Sequence, residues 1–214
     1  MLTGRGVSSL VVDRLCDQPS GRSTSVGCFY FDFAAQKEQS AASILGSLLK
    51  QIVSGMERVP EEIWRAWREQ KNTISGHRLQ LEGAVKMLQL VTSSQQTFIC
   101  IDALDECAGV QRARLLDSLN EVLAKSPGTR IFMTGRHHIL AETERQLVGR
   151  VISVSVCPNR DDIITFLRAR LQSDETPDAM NKSLEAEILE KIHENISEMC
   201  VIAMMLGTLP QIIS

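Results

Sequence analysis

Apolar residues along the chain fall into two alternating rhythms: short β-rich runs and longer segments with helical spacing. Residues 26–33 (VGCFYFDF) read as a first strand, entered from the turn-forming Pro19-Ser20-Gly21. Ile44, Leu45, Leu48, Leu49, Ile52 and Val53 then share one face of a helix. Pro60 opens another, with Ile63, Trp64 and Trp67 on one side. A polar stretch around 72–76 leads to a helix marked by Leu81, Val85, Leu88 and Val91. Residues 97–101 (TFICI) form a short, almost wholly apolar run, the pattern of a strand buried on both faces of a parallel sheet. Leu115, Leu116, Leu119, Val122 and Leu123 give the next helix, closed by Pro127-Gly128. Strands follow at 130–134 (RIFMT) and 151–156 (VISVSV). Asn159 or Asp161 caps a helix carrying Ile163, Ile164, Leu167 and Leu171, and Leu184, Ile188, Leu189 and Ile192 mark the last clear helix.

Strand–helix alternation of this kind implies parallel βαβ units and a three-layer αβα sandwich with a mainly parallel sheet. The polar run 173–178 (SDETPD) is the best boundary, and everything after it reads as helical. The expected division is an α/β domain over 1–172 and a short helical appendage over 173–214.

Composition narrows the partners. Hydrophobic residues make up 43% and charged residues 23%, ordinary for a chain that folds around a core. The net charge of −3 and the 4% aromatic content speak against nucleic acid, which needs a basic, base-stacking surface. No signal peptide and no bilayer-length apolar run is present, so a cytoplasmic, membrane-free protein is expected. The six cysteines are scattered without a CxxC pair, so reduced, mostly buried thiols are expected.

The chemistry concentrates at 97–106, TFICIDALDE. An apolar strand delivers Asp102 at its C-terminal end, the edge where open α/β sheets bind ligands. A carboxylate there suits Mg²⁺, which prefers oxygen ligands. Asp105 or Glu106, a few residues on, is placed to orient a water for attack on a γ-phosphate. This is a Walker B pattern with extra acids. A second apolar strand, 130–136 (RIFMTGR), ends in Arg136, whose guanidinium is suited to contact a γ-phosphate and report its loss.

Together, FICIDALDE and RIFMTGR resemble the NACHT NTPase domains of STAND-type signalling proteins, and in particular the nephrocystin-like N-terminal NACHT group. FYFDFAAQKEQSAASILGSLLKQI, SPGTRIFMTGR and VSVCPNRDDIITFLRARL are similar to its usual phrasing, and the likeness runs over residues 7–199. The resemblance implies a P-loop NTPase-like fold and a nucleotide-dependent switch that oligomerises. It implies Mg²⁺ with ATP or GTP as cofactor, and nucleotide, other protein chains or self as partners. By the same resemblance Asp102 is the metal ligand, Asp105 and Glu106 the acidic pair near the hydrolytic water, and Arg136 the phosphate sensor.

The chain departs from that pattern at its start. The family has a strand, a glycine-rich loop ending in Gly-Lys-Ser/Thr, and then a helix resembling VSSLVVDRL at 7–15; here MLTGRG enters that helix at once, and no Gly-Lys dipeptide occurs. Either Leu2-Thr3-Gly4 is a strand end with the loop deleted, or Gly4, Arg5 and Gly6 are a loop remnant at a phosphate site. The loop's N–H groups and its lysine normally cradle the phosphates, so their loss impairs nucleotide binding. In the family's strand order the missing strand lies inside the sheet, beside the strand carrying Arg136, so its loss is expected to bare two apolar edges. After Met199 the family's winged-helix continuation does not fit either, and the chain reads as a fragment at both ends. The expected function is therefore a nucleotide-binding signalling switch with impaired phosphate binding; the alternative is an inactive remnant serving only as a protein-interaction module.

Other residues weigh less. His137-His138 has no Cys or His partner at ligand spacing. Trp64 and Trp67 read as packing residues. Cys107 lies beside the acids without a feature that would activate it.

Overall fold

The computed structural model describes residues 4–17, 24–56, 58–72, 80–147, 149–157, 159–172, 182–194 and 201–207. The turn expected at 19–21, the polar stretch at 73–76 and the boundary at 173–178 lie outside the described residues. In chain order the elements are α1 (Gly4–Cys16), β1 (Thr24–Tyr30), α2 (Ala41–Ser54), α3 (Glu61–Asn72), α4 (Leu81–Ser93), β2 (Gln96–Asp102), α5 (Gly109–Lys125), β3 (Thr129–Arg136), α6 (Leu140–Gln146), β4 (Arg150–Val156), α7 (Arg160–Gln172), α8 (Lys182–Glu194) and β5 (Val201–Gly207).

The strands form one sheet in the order β1-β2-β3-β5-β4. β1, β2 and β3 run parallel, with Cys28 level with Cys100 and Cys100 level with Phe132. β5 is antiparallel to both of its neighbours, so β4 points the same way as β1 to β3. Successive strand residues face opposite sides, and this assigns the helices to layers. On one side Ile99, Ile101, Ile131 and Met133 are buried with Leu48 and Ile52 of α2 and Leu119 of α5. Gly27 lets α2 come close: a Cβ there would lie 3.3 Å from Ile52. On the other side α1 lies across β1, β2 and β3. The result is a mixed α/β fold with helices on both faces of its parallel part.

Local chemistry explains most boundaries. Ser40 caps α2 by accepting the Ser43 N–H, which ends the preceding loop. β1 stops three residues short of the expected strand because the Asp32 carboxylate accepts the Ala34 N–H and turns the chain into a 3₁₀ turn at Phe33–Ala35.

Two expectations need correction. The segment after the boundary is not helical throughout: α8 is followed by β5, a strand of the same sheet. A short apolar run such as VIAMMLG fits either state by itself. The strand is chosen because Ile202, Met204 and Leu206 complete the core while both backbone edges find ladders. For the same reason no pair of bare edges flanks the strand carrying Arg136; β5 fills the place between β3 and β4. A third difference concerns the thiols. Cys16, Cys28, Cys100 and Cys107 are free, but Cys157, just past β4, is disulfide-bonded.

Candidate functional site

The C-terminal ends of β2 and β3 meet α1 at one buried point. Asp102, the last residue of β2, Thr134 on β3 and Ser8 on α1 are each only about 1% exposed. The Ser8 hydroxyl donates to Asp102 Oδ1 at 2.5 Å and the Thr134 hydroxyl donates to the same oxygen at 2.6 Å. Thr134 Oγ1 in turn accepts the Ala103 N–H at 3.1 Å. Asp102 Oδ2, equally buried, has no partner among the described residues. Ala103, the next residue, adopts a left-handed backbone with φ of 55°. A side-chain-bearing residue there stores strain, of the order of 1 kcal/mol or more, and such strain collects at functional sites.

Beyond Ala103 a 3₁₀ turn carries the other two acids, and each is already engaged. Asp105 Oδ1 accepts the Arg136 N–H at 3.2 Å, and Oδ2 stands 3.4 Å from Arg136 Nε. The Asp105 side chain is 9% exposed and that of Arg136 66%, so the pair is an acid tucked under a solvated guanidinium. Gly135 leaves room for the Ile139 side chain at this turn, since a Cβ there would come within 2.7 Å of it. Glu106 Oε2 accepts the Phe33 N–H at 3.0 Å, and its carbonyl accepts from Gln36 Nε2 at 2.9 Å. Glu106 therefore ties the loop after β1 to this edge.

The structure thus gathers Asp102, Asp105, Glu106 and Arg136 at one edge of the sheet, each held by a different partner. Gly4, Arg5 and Gly6 do not form a loop: α1 begins at Gly4, so they make its first turn. A helical turn directs its N–H groups along one axis and cannot wrap a phosphate as a glycine-rich loop does. Ser8 and Thr134 are the residues that sequence reading passed over. Thr134 lay in view inside RIFMTGR, two residues before Arg136; Ser8 was hidden because its contact spans 94 positions.

The fit to a hydrated Mg²⁺ is poor in this arrangement. Mg²⁺ keeps several waters and needs room for them. Asp102 Oδ1 already accepts two hydroxyl hydrogen bonds, and the described residues hold no cluster of three or more His, Cys, Asp or Glu side chains that could share a metal. The nearby thiols are inert as well. Burial pushes Cys100 up to about 12 and Cys107 up to about 11, the latter against a lowering influence from Arg112. His137 and His138 are exposed in the turn after β3.

Among the described residues no helix is long and apolar enough to cross a membrane. No curated protein sequence matches the chain. Two solved structures of phosphoethanolamine N-methyltransferase 2 from Haemonchus contortus are distantly similar. One is in complex with S-adenosyl-L-methionine: it has 9% identity and a TM-score of 0.41, over 95% of this chain and 53% of that one. The other holds phosphomonomethylethanolamine and S-adenosylhomocysteine: it has 10% identity and a TM-score of 0.39, over 96% of this chain and 53% of that one. The chain spans about half the length of these structures, and a likeness this low says nothing about activity. A family match is far more direct. Residues 6–136 match the family described as nephrocystin 3, N-terminal, a stretch that runs from α1 to the end of β3 and contains Ser8, Asp102, Asp105, Glu106, Thr134 and Arg136. The chain belongs to the nephrocystin 3 N-terminal family.

Proposed function

We propose that this chain is a NACHT-type module of P-loop NTPase-like ancestry whose nucleotide edge is closed, and that it works as a protein-interaction scaffold rather than as a hydrolase. The observation that carries this reading is the saturated Oδ1 of Asp102, held by Ser8 and Thr134 at almost no exposure. In a working site that carboxylate would hold Mg²⁺, and the metal would neutralise charge on a transferring phosphoryl group. Here its role is to fasten α1 to the sheet. Asp105 restrains Arg136, and Glu106 anchors the loop after β1, so neither acid is free to position a water.

A second reading, nucleotide binding by an opened form, has its own support. Asp102 Oδ2 is an orphaned buried acceptor, and Ala103 beside it is strained. A movement of α1 that withdrew Ser8 would expose an acid in position for a metal–nucleotide, and Asp102 with Arg136 would then be the residues that hold it.

A thermal-shift titration with Mg-ATP and Mg-GTP, beside an Asp102→Ala control, separates the two. The scaffold reading expects no shift at millimolar nucleotide. Binding at ~100 times Kd would add about 2.7 kcal/mol, a rise of several degrees for a chain of this size. Such a rise, lost in the control, would overturn the scaffold reading in favour of the second.

A further inference from the structure

Three of the free thiols lie on the α1 side of the sheet, in steps of falling exposure. Cys16, the last residue of α1, is exposed, Cys28 on β1 is half-buried, and Cys100 on β2 is buried. Cys28 and Cys100 stand level on neighbouring parallel strands. Both face α1, because strand residues alternate and their neighbours point the other way: Gly27 toward Ile52 of α2, and Ile99 into the core that α2 and α5 cover. α1 runs antiparallel to these strands. Its Ser8 sits on Asp102 at the C-terminal end of β2, whereas β1, the next strand, starts at the opposite end with Thr24 level with Gln96. Ser9 meets the hydroxyl of Tyr30, which stands level with Asp102. Cys16 is two helical turns on from Ser9, so it lies on the same stripe of α1, about 10 Å further down. Cys28 is two residues below Tyr30, about 7 Å down the same side of β1. The two thiols therefore draw together at the rim of the sheet, close enough for the charge on one to be felt by the other. The remaining offset falls at the last turn of a helix, where ends fray and adjust readily.

We propose that Cys16 and Cys28 are a redox pair that closes into a disulfide by exchange with a low-molecular-weight disulfide, and so fastens the end of α1 to β1. Exposure sets the order. Cys16 gives its proton to solvent and its sulfur attacks one sulfur of the reagent; that S–S bond breaks, a mixed disulfide forms on Cys16, and one small thiolate leaves and takes up a proton. Cys28 then gives up its proton and attacks the Cys16 sulfur, and the second small thiolate leaves and is protonated in turn. Two protein thiols are oxidised, and one small disulfide is reduced to two thiols. Burial, and after it Cys16, raises the Cys28 thiol above its usual value, with Tyr30 acting the other way, so the second attack is the slower one and quickens as pH rises. Cys28 gives up only a weak contact, Sγ to Gln51 Oε1 at 3.4 Å. Cys100, buried and pushed up to about 12, takes no part. The closed pair fixes the lower end of α1, and through α1 it holds Ser8 against Asp102. It goes beyond the scaffold reading and stands whether or not nucleotide binds.

The full chain, titrated with oxidised glutathione, tests it beside Cys16→Ser and Cys28→Ser, each checked for folding by circular dichroism. Peptide mapping without reduction should find Cys16 joined to Cys28 in the unaltered chain, no link at Cys28 in Cys16→Ser, and glutathione retained on Cys16 in Cys28→Ser. Oxidation should raise the thermal midpoint of the unaltered chain by several degrees relative to Cys16→Ser taken through the same cycle, a comparison in which the disulfide at Cys157 cancels. Amides of α1 should exchange more slowly in the oxidised chain. A Cys16 that does not react, glutathione that stays on Cys16 while Cys28 is present, a link from Cys16 to any other cysteine, or a Cys16–Cys28 link that leaves the midpoint unchanged would overturn the proposal.

Discussion

The sheet has two halves that are built differently. In the parallel half, β1 to β3 lie between α1 on one face and α2, α4 and α5 on the other, and Ile99, Ile101, Ile131 and Met133 are sealed from solvent. In the other half, β5 buries Ile202, Met204 and Leu206 and exposes Met205, β4 is exposed on both faces over residues 152–156, and α7 and α8 pack chiefly against each other. The family match follows this line, since it ends at Arg136, the last residue of β3. The shared part of the chain thus holds most of the core and the candidate site, and Ile202, Met204 and Leu206 of β5 complete that core. The remaining strands join it along one seam, the β3–β5 ladder.

The contrast predicts unequal costs for the same kind of substitution. Leu119→Ala removes a fully buried side chain from α5 and should cost about 2–5 kcal/mol in denaturant unfolding. Val154→Ala, on the bare half, should cost under about 1 kcal/mol. Similar costs at the two positions would mean that the halves are equally packed, and the comparison would fail.

The second way to sharpen it is to loosen the pin between α1 and the parallel half. Ser8→Ala removes one of the two hydroxyl donors from Asp102 Oδ1 and leaves a buried carboxylate with less support. The expected loss is about 1–3 kcal/mol, with raised hydrogen exchange in α1 and little change in β4. A loss spread evenly over both halves would argue that α1 is not specific to the parallel part.

The smallest effect concerns alkaline pH. Cys100 sits inside the parallel half, and burial raises its folded pKa from 9.0 to about 12. The unfolded thiol ionises first as pH rises, so the stabilisation is complete below pH 9 and is lost progressively between 9 and 12. Cys100→Ala should flatten that decline, measured by thermal midpoint against pH. An unchanged slope would mean that the thiol is not held neutral by the fold.

Much of the parallel half was legible in the sequence because its signals are local. Four apolar residues running into Asp102, and three running into Thr134-Gly135-Arg136, read as buried strands ending at a ligand edge, and both stand there. The helical face of Ile44 to Ile52 read just as clearly. What escaped depended on distant partners. Nothing near Ser8 signals that it will meet a carboxylate from β2 or a hydroxyl from β3. Nothing within LDE says that Asp105 will hold Arg136 while Glu106 reaches back to Phe33. β5 escaped for a related reason: VIAMMLG is strand-like only because β3 and β4 leave a place that its backbone and its alternate side chains both fill.

That placement sets an order of events during synthesis. β4 leaves the ribosome well before β5, yet its only described ladder is with β5. Until residues 201–207 emerge, VISVSV has no described strand to join, while β1, β2 and β3 can already pair and gather their helices. The nascent chain therefore carries an uncharged, aggregation-prone segment through the translation of some forty-odd residues, at roughly 5–20 residues per second. Slowing elongation between β4 and β5 lengthens that interval without altering a single contact of the finished protein.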